Sequence, residues 1–343
     1  MASSRVSAHL PFYDSSKSSL AYGDRTIPKL NRELQSDDVR VRQQALLLLN
    51  DVIHRRENLA AALREGIAKT LQALLEDSDW LVRERTANAL TIIAQHALGR
   101  QCFLELGMLT SLSKLFSDGE VKVRLSVHSA LEMCARTTVG AQGVVDAGLV
   151  ALCVEKLVQE DSTELKELLL ATLHWCFMVS PTQGLECGAI SSTVPLLTHP
   201  SPLVRGRTAT LLHDLTTPYQ GKEEACGHGV CVEGLVNLLS DRDSFVRAQT
   251  AAALMSISVI TKGKYAVLEA GALPHLVALF TDPSSEVRTN AVKTVTMLAE
   301  TPRGKQQLQS VVSQLEEMAG GGERGETETK TINTARTVIT WTP

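Results

Sequence analysis

The sequence predicts an all-α solenoid, because two independent series of residues recur along its 343 residues with one common period. In the arginine series, an arginine follows a valine, with one lysine substitute; the positions are Arg42, Arg83, Arg124, Lys166, Arg205, Arg247 and Arg288. The glycine series comprises Gly66, Gly107, Gly148, Gly188, Gly229 and Gly271. Successive members of both series lie 39 to 42 residues apart, a period typical of stacked helical repeats.

Each repeat is predicted to contain a short, a medium and a long helix, as residues 263–300 illustrate. The short helix runs from Lys264 to Glu269 and stops at Gly271, where the absence of a Cβ permits a left-handed turn. The medium helix carries apolar residues at helical spacing: Leu273, Leu276, Val277 and Phe280. The segment Asp282-Pro283-Ser284-Ser285 then breaks the chain and provides a cap for the long helix. One face of that helix is apolar: Val287, Ala291, Val295 and Leu298.

This unit resembles the armadillo repeat, most closely in the run from Glu269 to Phe280, which reads EAGALPHLVALF. The resemblance implies a right-handed superhelical solenoid of about seven armadillo repeats, closed by a degenerate C-terminal cap helix. The predicted organisation is an extended polar tail (1–20), the solenoid (21–318), a flexible Gly-rich loop (319–330) and the terminal cap helix (331–343). In such a solenoid the third helices line the concave side.

Composition argues against several classes of partner. A formal net charge of -4 is unlike that of a protein that binds nucleic acid through a basic face. The longest nearly apolar stretch, Leu168 to Val179, is too short to span a bilayer. The seven cysteines are scattered and odd in number, which favours a reducing compartment over a disulfide framework. We therefore expect protein partners, and neither nucleic acid, a membrane nor a small-molecule substrate.

No motif predicts catalysis or a bound cofactor. Cys226, His228 and Cys231 are candidate ligands for a soft metal, but tetrahedral zinc needs a fourth ligand and their spacing matches no standard site. His174 and Cys176 suggest a base and a nucleophile, yet residues so close on a helix point in different directions. We predict no catalytic, cofactor-binding or metal-binding residue. A hydrolase hidden on the solenoid remains a hypothesis without a candidate residue.

The arginine series has a structural interpretation and a functional alternative. Each arginine falls in the first turn of a predicted third helix, near an acidic residue: Asp38, Asp79, Asp118, Asp243 or Glu286. Pairing with these acids, or with carbonyl groups of neighbouring repeats, would tie the repeats together. Each exposed pair would contribute about 0.5 kcal/mol. The alternative is a stripe of ligand-binding arginines.

The concave positions of the third helices carry the information about partners. Nuclear-import receptors of the armadillo family repeat a tryptophan and, four residues on, an asparagine that binds the main chain of a peptide. In this sequence only Asn50 fits the asparagine pattern, and no position has the tryptophan. A mixed surface of Met, Trp and short polar residues suits folded partners or helices. The predicted partner-binding residues are Asn50, Asn88, Met133, Trp175, Asp214, Ser256, Lys293 and Met297.

The segment from Ala21 to Asp38, AYGDRTIPKLNRELQSDD, is more distinctive than a generic repeat. It resembles armadillo-repeat subunits of ciliary radial spokes, as do the runs at 43–46, 261–266 and 296–300. The resemblance implies a non-enzymatic scaffold in the cytoplasmic cytoskeleton, within the axoneme of a cilium or flagellum. Its partners would be other radial spoke proteins, and its role would support the regulation of axonemal dynein. The alternative hypothesis is a soluble adaptor that captures disordered peptides in its concave groove.

Overall fold

The computed structural model describes residues 26–320 and 325–341, and the regular secondary structure within these ranges is helical, without a strand. This confirms the all-α prediction. The predicted polar tail at 1–20 lies outside the described residues. The chain divides into two compact units, one ending at Ala130 and the other beginning at Leu131.

The first unit contains two helices of an initial repeat and then short, medium and long helices in regular order. Its helices are α1 (Thr26–Leu34), α2 (Val39–Val52), α3 (Arg56–Arg64), α4 (Ile67–Leu74), α5 (Trp80–Ala94), α6 (Ala97–Glu105) and α7 (Met108–Ser113). The unit boundary falls inside the next long helix, α8 (Val121–Ala135). The long helices α2 and α5 pack directly against each other.

The second unit continues the same order of helices to the end of the described chain. It comprises α9 (Thr138–Asp146), α10 (Leu149–Gln159), α11 (Thr163–Val179), α12 (Pro181–Glu186), α13 (Ala189–Thr193), α14 (Pro202–Leu215), α15 (Tyr219–Gly227), α16 (Gly229–Leu238), α17 (Ser244–Ile257), α18 (Thr261–Glu269), α19 (Ala272–Ala278), α20 (Ser285–Leu298), α21 (Pro302–Leu308), α22 (Val312–Gly320) and α23 (Glu326–Thr340). Short 3₁₀ turns extend α13, α19 and α21. The third helices α11, α14, α17, α20 and α23 pack in succession, which buries an apolar face that one repeat alone would expose.

The turn between the first and second helices depends on glycine in five repeats. The prediction made at Gly271 is confirmed, since its φ is 76°, and four other members of the series share the left-handed conformation: Gly66, Gly107, Gly148 and Gly188. Gly229 differs, because α15 continues through Gly227 and the turn is made at His228, with φ -97° and ψ 83°. Gly229 is then the first residue of α16 and has no positive φ.

The C-terminal boundaries require a correction. The predicted loop at 319–330 and cap helix from 331 are wrong in extent, because α22 includes Gly320 and the last helix begins at Glu326. Residues 321–324 lie outside the described part of the chain. The buried side chains of Glu328, Ile332, Ala335 and Ile339 fix α23 to its neighbours. Together α21, α22 and α23 therefore complete an eighth short–medium–long set rather than a lone helix.

Candidate functional site

The arginines at the start of the third helices form ion pairs with the following repeat. Arg83 shows the geometry: its Nε lies 2.7 Å from Asp118 Oδ2, with the arginine side chain 17% and the aspartate 5% exposed. The pairs that share this arrangement are Arg42–Asp77, Arg83–Asp118, Arg205–Asp241, Arg247–Asp282 and Arg288–Glu328. Each acid lies 35 to 40 residues after its arginine, so each pair joins successive repeats.

Each guanidinium in these pairs also binds the turn before its own helix. Arg247 Nη1, for example, donates to the carbonyl oxygens of Asp241 at 2.8 Å and Arg242 at 3.0 Å. Arg124 donates in the same way to Asp118 O at 2.8 Å. The lysine substitute, Lys166, donates from Nζ to Glu160 O. The position is therefore occupied by a donor that fixes a turn in each of the seven repeats that carry the series.

Most of the acids expected to pair with the arginines have another role. Asp38, Asp79 and Asp243 cap third helices by accepting backbone N–H groups, and Glu286 accepts from Gln249 Nε2 at 3.1 Å. Of the predicted set, Asp118 pairs with an arginine, and that arginine belongs to the preceding repeat. The pairs are also sheltered rather than exposed. A charge-assisted bond of this kind contributes about 1.5–3 kcal/mol, more than the value expected for a surface pair.

The pairing alters the pKa of two bridging carboxyls, those of Asp241 and Asp118. Burial by itself raises the pKa of Asp241, but hydrogen bonds from Arg205 and the backbone of Asp243 outweigh it, and the pKa of Asp241 is lowered. The pKa of Asp118 is lowered in the same way, against burial, by its hydrogen bond from Arg83. Both carboxyls are therefore ionised at neutral pH and remain paired.

Three of the predicted partner-binding residues have polar side-chain atoms that make hydrogen bonds between neighbouring third helices. Asn50 Nδ2 donates to Arg85 O at 3.3 Å. Asp214 is buried, and its Oδ2 lies 2.6 Å from His174 Nδ1. Ser256 is buried as well, and its Oγ lies 3.0 Å from both the hydroxyl and the carbonyl oxygen of Thr216. These groups tie α2 to α5, α11 to α14 and α14 to α17, and their assignment to partner binding stays a prediction.

The other five predicted partner-binding residues are half-buried on the third helices: Asn88, Met133, Trp175, Lys293 and Met297. In the second unit, the Trp175 ring lies beside that of His174, with 5.0 Å between the ring centroids. These side chains provide mixed apolar and polar surface without a regular row of amides. Their assignment to partner binding stays a prediction.

The side chains considered for catalysis or metal binding do not assemble into a site. Cys176 is fully buried, and burial raises its pKa to about 12, so the thiol is neither exposed nor readily ionised. Burial also raises the pKa of Cys231 to about 12. Within residues 26–320 and 325–341, no three or more His, Cys, Asp or Glu side chains are grouped to hold a metal ion. Cys226 lies in the last turn of α15, Cys231 lies in the first turn of α16, and His228 forms the turn between these helices.

A second glycine series escaped the sequence prediction. These glycines lie in the first turn of the first helices, where the chain approaches the end of the preceding third helix: Gly99, Gly140, Gly221, Gly263 and Gly304. A Cβ at Gly263 would lie 1.9 Å from the carbonyl oxygen of Ile257. The signal was present in the sequence as further spacings of the common period: 41 residues from position 99 to 140, 42 from 221 to 263 and 41 from 263 to 304.

None of the helices in the described ranges has the length and apolar character needed to cross a lipid bilayer.

Comparison with known proteins gives matches to helical repeats. A family model described as HEAT repeats matches residues 190–295, and a HEAT repeat model matches residues 67–97. A crystal structure of an engineered protein is similar over 92% of this chain and 78% of its own, with a TM-score of 0.83 and 23% identity. A designed armadillo repeat protein is similar over 66% of this chain and 98% of its own, with a TM-score of 0.62 and 24% identity.

Another designed armadillo repeat protein was solved in complex with the peptide (KR)4. It is similar over 66% of this chain and 98% of its own, with a TM-score of 0.62 and 23% identity. The three-helix order and the left-handed glycine turns agree with the armadillo form of the repeat. The chain therefore has the repeat-solenoid fold of HEAT and armadillo proteins.

Proposed function

We propose that this chain is a non-enzymatic scaffold and, more specifically, a structural subunit of the ciliary radial spoke that binds other spoke proteins. The observation that carries the specific proposal is the segment from Ala21 to Asp38, which resembles the radial spoke head 14 homologue more than a generic repeat. The broader proposal follows from the fold, because stacked repeats present extended surface suited to protein–protein contacts.

The third helices support a folded or helical partner over an extended peptide. A peptide-reading groove needs a row of amide side chains that bond to a main chain; Asn50 is the single asparagine that fits this pattern, and its Nδ2 donates to Arg85 O at 3.3 Å. Asp214 and Ser256 are likewise engaged between helices. The half-buried surface that remains includes Trp175, Met297 and Lys293. Trp and Met are residue types enriched at protein interfaces.

The proposal is tested by identifying what surrounds the protein in a ciliated cell. A proximity-labelling enzyme fused to the full chain is expected to label radial spoke proteins, and purification from isolated axonemes is expected to recover them. The same enzyme fused to an unrelated axonemal protein provides the background. Enrichment of nuclear-import cargo, with spoke proteins at background level, would refute the specific proposal.

A second candidate, an adaptor for disordered basic peptides, is favoured by the designed armadillo protein solved with (KR)4. The test is fluorescence anisotropy with a labelled (KR)4 peptide and, as the control, a peptide of the same length made of Gly and Ser. Micromolar binding of (KR)4 that weakens with salt would support the adaptor. Equal, weak signals from the two peptides would support the scaffold.

A further inference from the structure

A large apolar side chain is exposed at each of four successive turns between a third helix and the next first helix in the second unit. These residues, which we name the corner row, are Val139, Met178, Tyr219 and Val259, with 68%, 62%, 67% and 53% of their surface exposed. They lie 39, 41 and 40 residues apart, so each repeat contributes one. Exposed apolar residues scattered singly are ordinary on protein surfaces, whereas these four recur once per repeat at the same kind of turn, which makes them a candidate interaction surface.

The helix packing places the four residues along one edge of the second unit. Val139 is the second residue of α9, Met178 is the last but one of α11, Tyr219 is the first of α15, and Val259 lies between α17 and α18. The third helices α11, α14 and α17, whose ends lie at the last three turns, pack in succession, and α9, which begins at the first turn, packs on α11. Successive turns are therefore separated by one helix-packing distance, about 8–10 Å.

The corner row has a defined end. In the next repeat the equivalent position is Glu300, 41 residues after Val259. Its carboxylate lies 2.6 Å from Lys264 Nζ. A charged pair replaces the apolar side chain there. From Val139 to Val259 the row covers three repeat spacings, or about 30 Å.

The spacing between members of the corner row indicates which backbone conformation a bound partner segment would have. An α-helix rises 1.5 Å per residue, so side chains seven residues apart lie about 10.5 Å apart on nearly the same face. A β-strand covers about 10 Å in three residues, which places successive contacts on opposite faces. An α-helix can therefore present one apolar side chain to each member of the row from a single face, whereas a β-strand cannot. Four contacts at this spacing require a helix of about 22 residues.

Acidic residues at the far ends of the first helices, about 10 Å along those helices from the turns, select the flank of the bound helix. Each first helix along the row carries an acidic residue near its C-terminal end; these are Asp146, Glu186, Glu224 and Glu269, of which Glu224 is half-buried and the others are exposed. The lysine side chains on the same helices are either paired with an acid or buried. Lys262 is paired with Glu223 at 3.0 Å, and Lys222 and Lys264 are buried. A basic flank on the partner helix complements this border.

We propose that the corner row docks an amphipathic α-helix of a partner protein, with an apolar residue at every seventh position and Lys or Arg along one flank. The inference rests on the proposed scaffold function and names the chemistry of one partner. It places the contact on the edge formed by the turns between third and first helices. Val139, Met178, Tyr219 and Val259 supply the apolar contacts.

The probe is a synthetic peptide of 24 residues with Leu at every seventh position, Lys along one flank and Ala elsewhere. Binding to the full chain is measured by fluorescence anisotropy, and a micromolar Kd is expected. The double variant Met178→Asp, Tyr219→Asp is expected to weaken binding at least tenfold. The matched control, Val158→Asp, Val230→Asp, changes two valines on second helices that are 61% and 62% exposed, and it should stay within twofold of wild type.

Two peptides complete the test. A scrambled peptide of the same composition and a peptide with Glu in place of Lys should each bind at least tenfold more weakly. Circular dichroism of both double variants checks that the fold is intact. The proposal is overturned if the designed peptide does not bind, if the scrambled peptide binds equally, or if the Met178→Asp, Tyr219→Asp variant binds as wild type does.

The corner-row proposal and the spoke function can fail independently of each other. If the Met178→Asp, Tyr219→Asp protein still recovers every spoke protein from axonemes and still binds the peptide, the corner row is wrong and the spoke function stands. If wild type binds the designed peptide but recovers no spoke protein, the corner row stands and the spoke function is wrong.

Discussion

Arg205 and Asp241 are held together by two parallel hydrogen bonds, Nε to Oδ2 at 2.7 Å and Nη2 to Oδ1 at 3.0 Å. Asp241 lies in the turn before α17, and Arg205 lies in the first turn of α14. The same guanidinium donates from Nη1 to the carbonyl oxygens of His199 and Pro200, in the turn before its own helix. One side chain thereby fixes two successive turns relative to each other.

Removing either member of this pair should destabilise the second unit. Asp241→Ala and Arg205→Ala are each expected to cost about 2 kcal/mol, because each leaves a sheltered charge without its partner. The two side chains are 7% and 18% exposed. The double variant should cost much less than the sum of the single variants, as expected for groups in direct contact. Urea unfolding followed by circular dichroism measures all three.

The control for this prediction is a solvent-exposed pair in the same unit, Lys262 and Glu223, whose side chains are 53% and 35% exposed. Lys262→Ala should leave the urea midpoint unchanged within error, since solvent screens such a pair. If Lys262→Ala and Arg205→Ala had equal effects, the distinction between sheltered and exposed pairs would be untenable.

The lowered pKa of Asp241 predicts how the free energy of unfolding depends on pH. The pKa of Asp241 is lowered in the folded chain, because hydrogen bonds from Arg205 and the backbone outweigh the effect of burial, which raises it. An unfolded aspartate has a pKa of about 3.9. The pair therefore contributes its full stabilisation above that pH, and the contribution is lost as pH falls through the lower, folded pKa. Asp241→Asn should reduce the loss of stability between about pH 4 and pH 2.

Urea midpoints collected from pH 7 down to pH 2 provide the measurement. Asp118 should behave in the same way, since its pKa is also lowered by its arginine against burial. Each single variant therefore removes only part of the acid dependence. Parallel pH profiles for wild type, Asp118→Asn and Asp241→Asn would show that these pairs are not responsible.

Two glycines only eight residues apart should respond differently to alanine. At Gly263 a Cβ would lie 1.9 Å from Ile257 O, a backbone atom that cannot swing aside. Gly263→Ala should therefore cost about 2–3 kcal/mol through overpacking. A Cβ added at Gly271 would meet no atom within 4 Å, but φ there is 76°. Gly271→Ala should cost about 1 kcal/mol, from the left-handed backbone alone.

Gly229 supplies the matched control for both glycine variants. It has no positive φ, and a Cβ there would meet nothing within 4 Å. Gly229→Ala should be neutral or stabilise the fold by about 0.5 kcal/mol, because alanine restricts the unfolded chain. Thermal or urea unfolding of the three variants should rank them Gly229, Gly271, Gly263 in order of increasing loss. A different order would mean that close approach and backbone conformation are not the governing causes.

The fold followed from the sequence because its signals are local and repeated. Helical spacing of apolar residues, capping residues and the left-handed glycine at Gly271 act within one repeat, so one chain segment suffices to predict them. The partner of each arginine is not local. Near Arg247 in the sequence, the closest acid is Asp243, yet that residue caps α17 and Asp282 of the following repeat accepts the ion pair.

Whether a candidate site residue is buried also depends on how successive repeats stack, which is not a local property of the sequence. Asp214 is a charged residue at a position expected to face the groove, and packing between α11 and α14 instead places it against His174. The sequence did not predict the corner row, for a related reason. Val139 and Tyr219 lie in the first turns of first helices, whereas Met178 lies near the end of a third helix. Their common position becomes visible only once the turns are aligned in space.

The terminal helix α23 provides a last prediction, because one ion pair anchors its first turn. Glu328 is buried, and its Oε1 lies 2.6 Å from Arg288 Nε of α20. Glu328→Ala removes a charge-assisted bond worth about 2 kcal/mol, and a loss of that size corresponds to about 30-fold faster opening. Amide hydrogen exchange across 326–340 should accelerate accordingly, while α17 remains protected. The exposed neighbour Lys330 is the control, and Lys330→Ala should leave exchange in α23 unchanged. Equal exchange in both variants would mean that Ile332, Ala335 and Ile339 hold the helix without help from the ion pair.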